Sequence, residues 1–286
     1  MNFALSAAVI SVTAYMLMQL VFKRQGGAHP LATTAWVGVL LPVWVLMLVL
    51  GLSSHLLVFE FSWAYVGWTG LWAVLGVASM GLLLVMVNRL ALTELVAYRK
   101  VFTLLLALVA DVALMGVVLG NGKLVALGVV LAGSVVVSGQ RVGKGVFPWK
   151  DVVIVAALCA VMALQLLAYQ KALRLQPDVV SHICVAKAVF ALFSLGLLGI
   201  TEIRRGADTV SWGGLAAVAG LFAVGSIAEG FALKDLPMSV VVAVGLGMAG
   251  VFAAHDVVRG DIPRTPRALA GVGLVLAGLA MLAYVQ

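Results

Sequence analysis

Apolar side chains run through this chain in stretches of about twenty residues, the length a helix needs to cross a bilayer. Ten such stretches occur, at 3–22, 31–51, 64–87, 93–115, 123–139, 152–172, 178–199, 211–231, 237–257 and 268–285. Within each, the apolar residues are continuous rather than alternating, which predicts helices and not barrel strands. The breaks carry turn formers or charge, as in KRQGGAHP, GNGK, RLQPD and RGDIPRTPR. The pattern predicts an all-α polytopic membrane protein of ten transmembrane helices.

The pattern also repeats. ALTEL at Ala91–Leu95 matches ALKDL at Ala232–Leu236, and GVVLAG at Gly128–Gly133 matches GLVLAG at Gly273–Gly278. Pro30 and Pro177 each open the second helix of a half. These matches divide the chain into a first five-helix repeat at 1–140, a connecting loop at 141–151 and a second five-helix repeat at 152–286. A unit with an odd number of spans leaves the bilayer on the face opposite its entry, so its second copy is inserted upside down. Inverted repeats supply two near-equivalent arrangements, one open to each side, with the substrate near the midplane between the halves.

Composition strengthens this reading. The 286 residues are 64% hydrophobic and only 10% charged, with a mean hydropathy of +1.19. A soluble domain carries about a quarter charged residues. The first twenty residues lack a basic leading segment, so they read as a first transmembrane helix and not a cleaved signal. The net charge of +7 is spread over short loops without a basic tail or stripe, and no nucleic-acid partner is expected. Cys159 and Cys184 lie in apolar runs without metal-ligand spacing and read as packing residues. HExxH, GxSxG and paired intramembrane aspartates are all missing, so no enzyme activity, catalytic residue, metal or cofactor is expected. Eleven Lys and Arg residues follow the odd-numbered helices and four follow the even-numbered ones, a bias that places both termini outside.

The polar residues inside the apolar runs carry the candidate chemistry. Lys187 lies about nine residues into its helix, roughly 13 Å deep. A cation at that depth costs about 2.5–3.5 kcal/mol on insertion scales. It either faces a wet cavity and an anionic group, or forms a structural ion pair with Glu229 or Asp111. Arg99 and Lys100 are adjacent in the fourth helix, beside Tyr98. Neighbours on a helix point about 100° apart, so one can face the cavity while the other reaches the interface. The guanidinium is a flat fork suited to carboxylate or phosphate. Lys100, Thr103, Ala107 and Asp111 share one helical face. Asp111 and Glu229 are candidates for proton coupling, with helix-end solvation as the alternative; Glu229 is 141 positions beyond Asn88 of the third helix. His182 can titrate near neutral pH or serve as a helix contact. Gln19, Gln165 and Tyr169, in the first helix of each half, are candidate cavity donors or interhelical glue. Trp44, Trp68 and Trp72 lie deeper than the interfacial tryptophans, and one of them could line a substrate cavity.

The 5+5 repeat, the size and the end of each half resemble the drug/metabolite transporter superfamily, in its ten-helix EamA-type branch. In the second half that end reads RGD at Arg259–Asp261 followed by GVGLVLAG at Gly271–Gly278. The family usually carries Glu at the acidic place, and the first half has GN at Gly120–Asn121 there. The resemblance implies a bacterial inner-membrane transporter working by alternating access, with both termini in the cytoplasm and a basic loop after the second helix. Here that loop, GLSSHLLVFEFSW, has no Lys or Arg. The expected function is secondary transport of a small anionic metabolite bearing carboxylate or phosphate. A flippase for a lipid-linked phosphate, such as a polyprenyl phosphate carrier, is the alternative, and a drug or amino-acid exporter is third. The expected partners are that small-molecule or lipid-phosphate substrate and the surrounding membrane lipid; the sequence carries no signal for oligomeric state.

Overall fold

A computed structural model describes residues 3–24, 30–52, 57–58, 60–89, 92–139, 149–176, 178–200, 211–247 and 265–285. Among them are ten helices and no strand. They are α1 (Phe3–Arg24), α2 (Pro30–Leu52), α3 (Trp63–Arg89), α4 (Leu92–Ala113), α5 (Asn121–Gly139), α6 (Trp149–Leu175), α7 (Val179–Leu198), α8 (Trp212–Asp235), α9 (Met238–Gly247) and α10 (Pro266–Val285). Nine of the apolar runs are helices with ends displaced by a few residues, and the remaining one, ninth in chain order, is helical over Met238–Gly247 among the described residues. Six of them, α1, α2, α3, α6, α7 and α8, are long and apolar enough to cross a bilayer, and the chain is an α-helical membrane protein. Residues 141–148 of the connecting loop, 248–257 of the ninth expected span, and the RGD segment at Arg259–Asp261 lie outside the described residues.

Helix ends inside a membrane need partners for their free amides and carbonyls, because no water competes for them. Asp178 caps α7, its carboxylate accepting from the Ser181 amide at 3.0 Å and from the Ser181 hydroxyl. Asp111, at the end of α4, caps a different helix: its two oxygens accept from the amides of Met238 (3.1 Å) and Ser239 (2.7 Å) at the start of α9. The last turns of α6 tie several connections together. The Gln170 side chain donates to the carbonyls of Leu233 and Leu236, and Lys171 donates to the carbonyl of Leu114. Gln176 accepts from the Glu60 amide and donates to the Val58 carbonyl, while the Val58 amide donates to Ser181 Oγ. The connections α2–α3, α4–α5, α6–α7 and α8–α9 therefore meet at one end of the bundle.

The helices pack in cross-pairs. The most extensive contacts are α1 with α8, α3 with α6, α2 with α7 and α5 with α10; α2 also meets α8, and α3 meets α7. The α5–α10 crossing depends on two glycines. A Cβ at Gly133 would come to 2.7 Å from the Val275 amide nitrogen and 2.8 Å from the Gly271 carbonyl oxygen. A Cβ at Gly278 would come to 2.8 Å from the Val130 amide nitrogen and 3.1 Å from the Ala126 carbonyl oxygen. Small residues at such crossings let backbones approach in lipid, where dispersion and not hydrophobic burial drives association.

Candidate substrate cavity

A cavity of about 100 Å³ lies among α1, α3, α4, α6, α8 and α9. One water needs about 10–15 Å³ by the same measure. The space therefore holds several waters or a compact solute. Much of its wall is Met, Leu and Val, into which Arg99, Glu229, Gln19 and Gln165 project.

Arg99 comes from the second turn of α4, with Thr103 one turn further along the same face. It is only 3% exposed. Among the described residues its Nε has no hydrogen-bond partner. The backbone there is held by α6, where the Cys159 thiol lies 3.5 Å from the Arg99 carbonyl. A guanidinium with an unused donor in an enclosed, mostly apolar space is matched to an incoming oxyanion. Gln19 Oε1 is a second buried cavity-wall atom without a hydrogen-bond partner among the described residues.

Two hydrogen-bonded pairs line this space. In one, the Tyr15 hydroxyl of α1 donates to Glu229 Oε2 of α8 at 2.8 Å and lies 3.2 Å from Ser226 Oγ. In the other, the Ser79 hydroxyl of α3 donates to Gln165 Oε1 of α6 at 2.7 Å. Gln165 stands 150 positions beyond Tyr15, and Glu229 stands 150 beyond Ser79. Each pair rests on a glycine: Gly225 leaves room for the Tyr15 ring, whose Cε1 would be 2.8 Å from an added Cβ, and Gly76 lies against Gln165. The ALTEL/ALKDL match sets Glu229 against Asn88, whose side chain lies outside the described residues; the side chain that Glu229 meets is that of Tyr15.

The remaining candidates sit elsewhere. Lys187 is 1% exposed, and its ammonium lies between the rings of Trp72 and Phe222, behind two wall residues rather than on the wall. Tyr169 and His182 pack together with ring centroids 4.6 Å apart, and Tyr65 joins them through a 3.2 Å contact between its hydroxyl and His182 Nδ1. The Tyr169 hydroxyl and His182 Nε2 are buried without partners among the described residues. Asp111 is buried at the start of α9, where it holds two amides and is not part of the cavity wall. The side chains of Tyr98 and Lys100 lie outside the described residues. Tyr15, Ser79 and Phe222 escaped sequence reasoning; their signal was the 150-residue spacing to Gln165, Glu229 and Trp72.

No family model matches this sequence, and no curated protein does. A solved structure named "Crystal structure of protein" superimposes with a TM-score of 0.74, covering 99% of this chain and 96% of that chain at 16% identity. At that identity the likeness is one of fold.

Proposed function

We propose that the chain is a secondary transporter that moves a small anion bearing carboxylate or phosphate by alternating access. In this reading it is an EamA-type member of the drug/metabolite transporter superfamily, with ten spans arranged as two inverted five-helix repeats. The observation that carries the substrate class is the buried Arg99 guanidinium, its Nε without a hydrogen-bond partner among the described residues, on the wall of a cavity lined by helices of both halves.

The repeat is supported by the packing. Replacing each helix of one half by its counterpart in the other turns α1–α8 into α6–α3, turns α2–α8 into α7–α3, and maps α2–α7 and α5–α10 onto themselves; all of these contacts exist. The α5–α10 crossing obeys the same exchange residue by residue. Gly133 and Gly278, Val130 and Val275, and Ala126 and Gly271 are each 145 positions apart. An approximate two-fold axis through that crossing accounts for these equalities. The axis also relates the Tyr15–Glu229 pair to the Gln165–Ser79 pair, which puts the cavity between the repeats, where such transporters bind their cargo.

Glu229 is the cavity carboxylate placed to exchange a proton during the cycle, and the Tyr15 hydroxyl holds it. The size of the cavity suits the headgroup of a compact anion. For a lipid-linked phosphate the chain would have to remain in the bilayer outside it. On the Lys and Arg bias both termini lie outside the cell membrane. The test is uptake and exchange in proteoliposomes with phosphate, short carboxylates and a short-chain polyprenyl phosphate. Saturable movement of one of the anions, lost in Arg99→Met, is the expected result. Transport that is unchanged in Arg99→Met removes the guanidinium from the site, and movement of the polyprenyl phosphate alone selects the flippase reading.

A further inference from the structure

Lys187 has an unusual seat. Its Nζ lies 4.3 Å from the ring centroid of Trp72 and 5.0 Å from that of Phe222. Trp72 comes from α3 and Phe222 from α8, and the two are 150 positions apart, the same spacing that separates Ser79 from Glu229. The rings are thus equivalent residues of the two halves, facing one point. The lysine has no counterpart: α2, the helix that answers to α7, contains no Lys or Arg. One cage made by both halves is filled by an ammonium from only one of them.

Two aromatic faces about a common point recognise organic ammonium ions, because each ring presents a negative face to the cation. Trp72 and Phe222 also form part of the cavity wall, so a vacant cage would open to whatever enters the cavity. Glu229 is on the same wall. We propose that the Trp72–Phe222 cage is a binding site for an organic ammonium which the chain occupies with its own Lys187, and that this tethered cation excludes cationic substrates from the cavity. The inference rests on the cavity being the substrate site.

The charges support it. Arg99, Lys187 and Glu229 together leave one net positive charge at the cavity, which favours a monoanion. Without Lys187, Arg99 and Glu229 balance, and an empty cage beside a carboxylate is a place for an alkylammonium. A tethered group also holds its site at a high effective concentration, so a free cation at ordinary concentration does not displace it.

The test uses the full-length protein in nanodiscs and equilibrium binding of labelled tetramethylammonium. Wild type is expected to show no saturable binding at millimolar concentration. Lys187→Ala empties the cage and is expected to bind at least about tenfold tighter than wild type. Lys187→Met removes the charge but refills the cage with a thioether, and it gains nothing. Phe222→Ala added to Lys187→Ala abolishes the gain. Lys187→Ser leaves nearly the same space and replaces Lys187→Ala if that variant is not monodisperse. Wild type that binds the cation as well as the variant does, a folded Lys187→Ala or Lys187→Ser that binds none, or an equal gain in Lys187→Met each overturns the proposal. The outcome is separable from that of the transport reading. A gain of cation binding in a protein that moves no anion upholds the cage and removes anion transport, whereas anion transport by wild type with no gain in the variant does the reverse.

Discussion

The two sides of the cavity have the same architecture and different chemistry. On one, α3 and α6 present Ser79 bonded to Gln165, both neutral. On the other, α8 and α1 present Glu229 bonded to Tyr15, at positions 150 residues further on for the first member and 150 earlier for the second. Arg99 and Thr103 project from α4, while α9, its counterpart, contributes Val241 and Val242. In the proposed reading the frame of close glycines, paired helices and polar side chains is duplicated and the charges are not. Such a frame would supply two similar conformations, and single departures from it would set which solute is accepted.

This comparison can be broken at the frame or at the charges. The largest effect is expected at the frame. Gly278→Leu forces a side chain into the Val130 backbone at the α5–α10 crossing. Overpacking of this kind costs about 3 kcal/mol, and the yield of monodisperse protein should collapse, as read by gel filtration; Gly133→Leu should do the same if the crossing is symmetric. Next comes the unmatched cation. Arg99→Met removes a charged hydrogen-bond donor worth about 1.5–3 kcal/mol, which corresponds to roughly a 10- to 150-fold rise in the Kd of the transported anion. The two pairs should then respond in opposite directions. Glu229→Gln removes a negative charge while keeping an acceptor for Tyr15, and should tighten anion binding about fivefold, or roughly 1 kcal/mol for a partly screened charge. Ser79→Glu places a carboxylate on the neutral side and should weaken binding by a similar factor. Titration calorimetry on both variants reads the two signs, and equal signs would mean that the sides are not equivalent. The smallest change in transport is expected at Asp111→Asn. Asn keeps one acceptor oxygen and sets an NH2 against the second of the two buried amides, so stability should fall by about 1–3 kcal/mol while transport persists, as thermal melts and proteoliposome assays would show. A loss of transport there would restore Asp111 as a coupling residue.

Much of this was legible in the sequence, and the limits have physical causes. Helix positions followed from apolar run length, since lipid forces every spanning backbone to satisfy its own hydrogen bonds. Arg99, Gln19, Gln165 and Glu229 were legible as cavity residues because polar side chains in an apolar run need a polar destination. Their partners were not. Tyr15 and Ser79 are ordinary in a membrane helix, and only the packing of α1 on α8 and of α3 on α6 gives them meaning. Lys187 stood out in the sequence by its depth, and its amine lies against two aromatic rings and not on the cavity wall, because aromatic faces can serve a cation where water was expected to. Asp111 shares a helical stripe with Thr103, but the start of α9, distant in sequence, takes its carboxylate. Helical periodicity says which residues share a face; it does not say what the face meets.

The account depends most on Arg99 being an open anion anchor. Diffraction from crystals equilibrated with selenate, a compact oxyanion that marks its own position by anomalous scattering, tests this directly. A selenium peak within hydrogen-bond reach of the Arg99 guanidinium in wild type, and its loss in Arg99→Met, is the predicted result. A peak in the cavity that survives Arg99→Met, or a guanidinium already paired with a carboxylate of the protein, contradicts it.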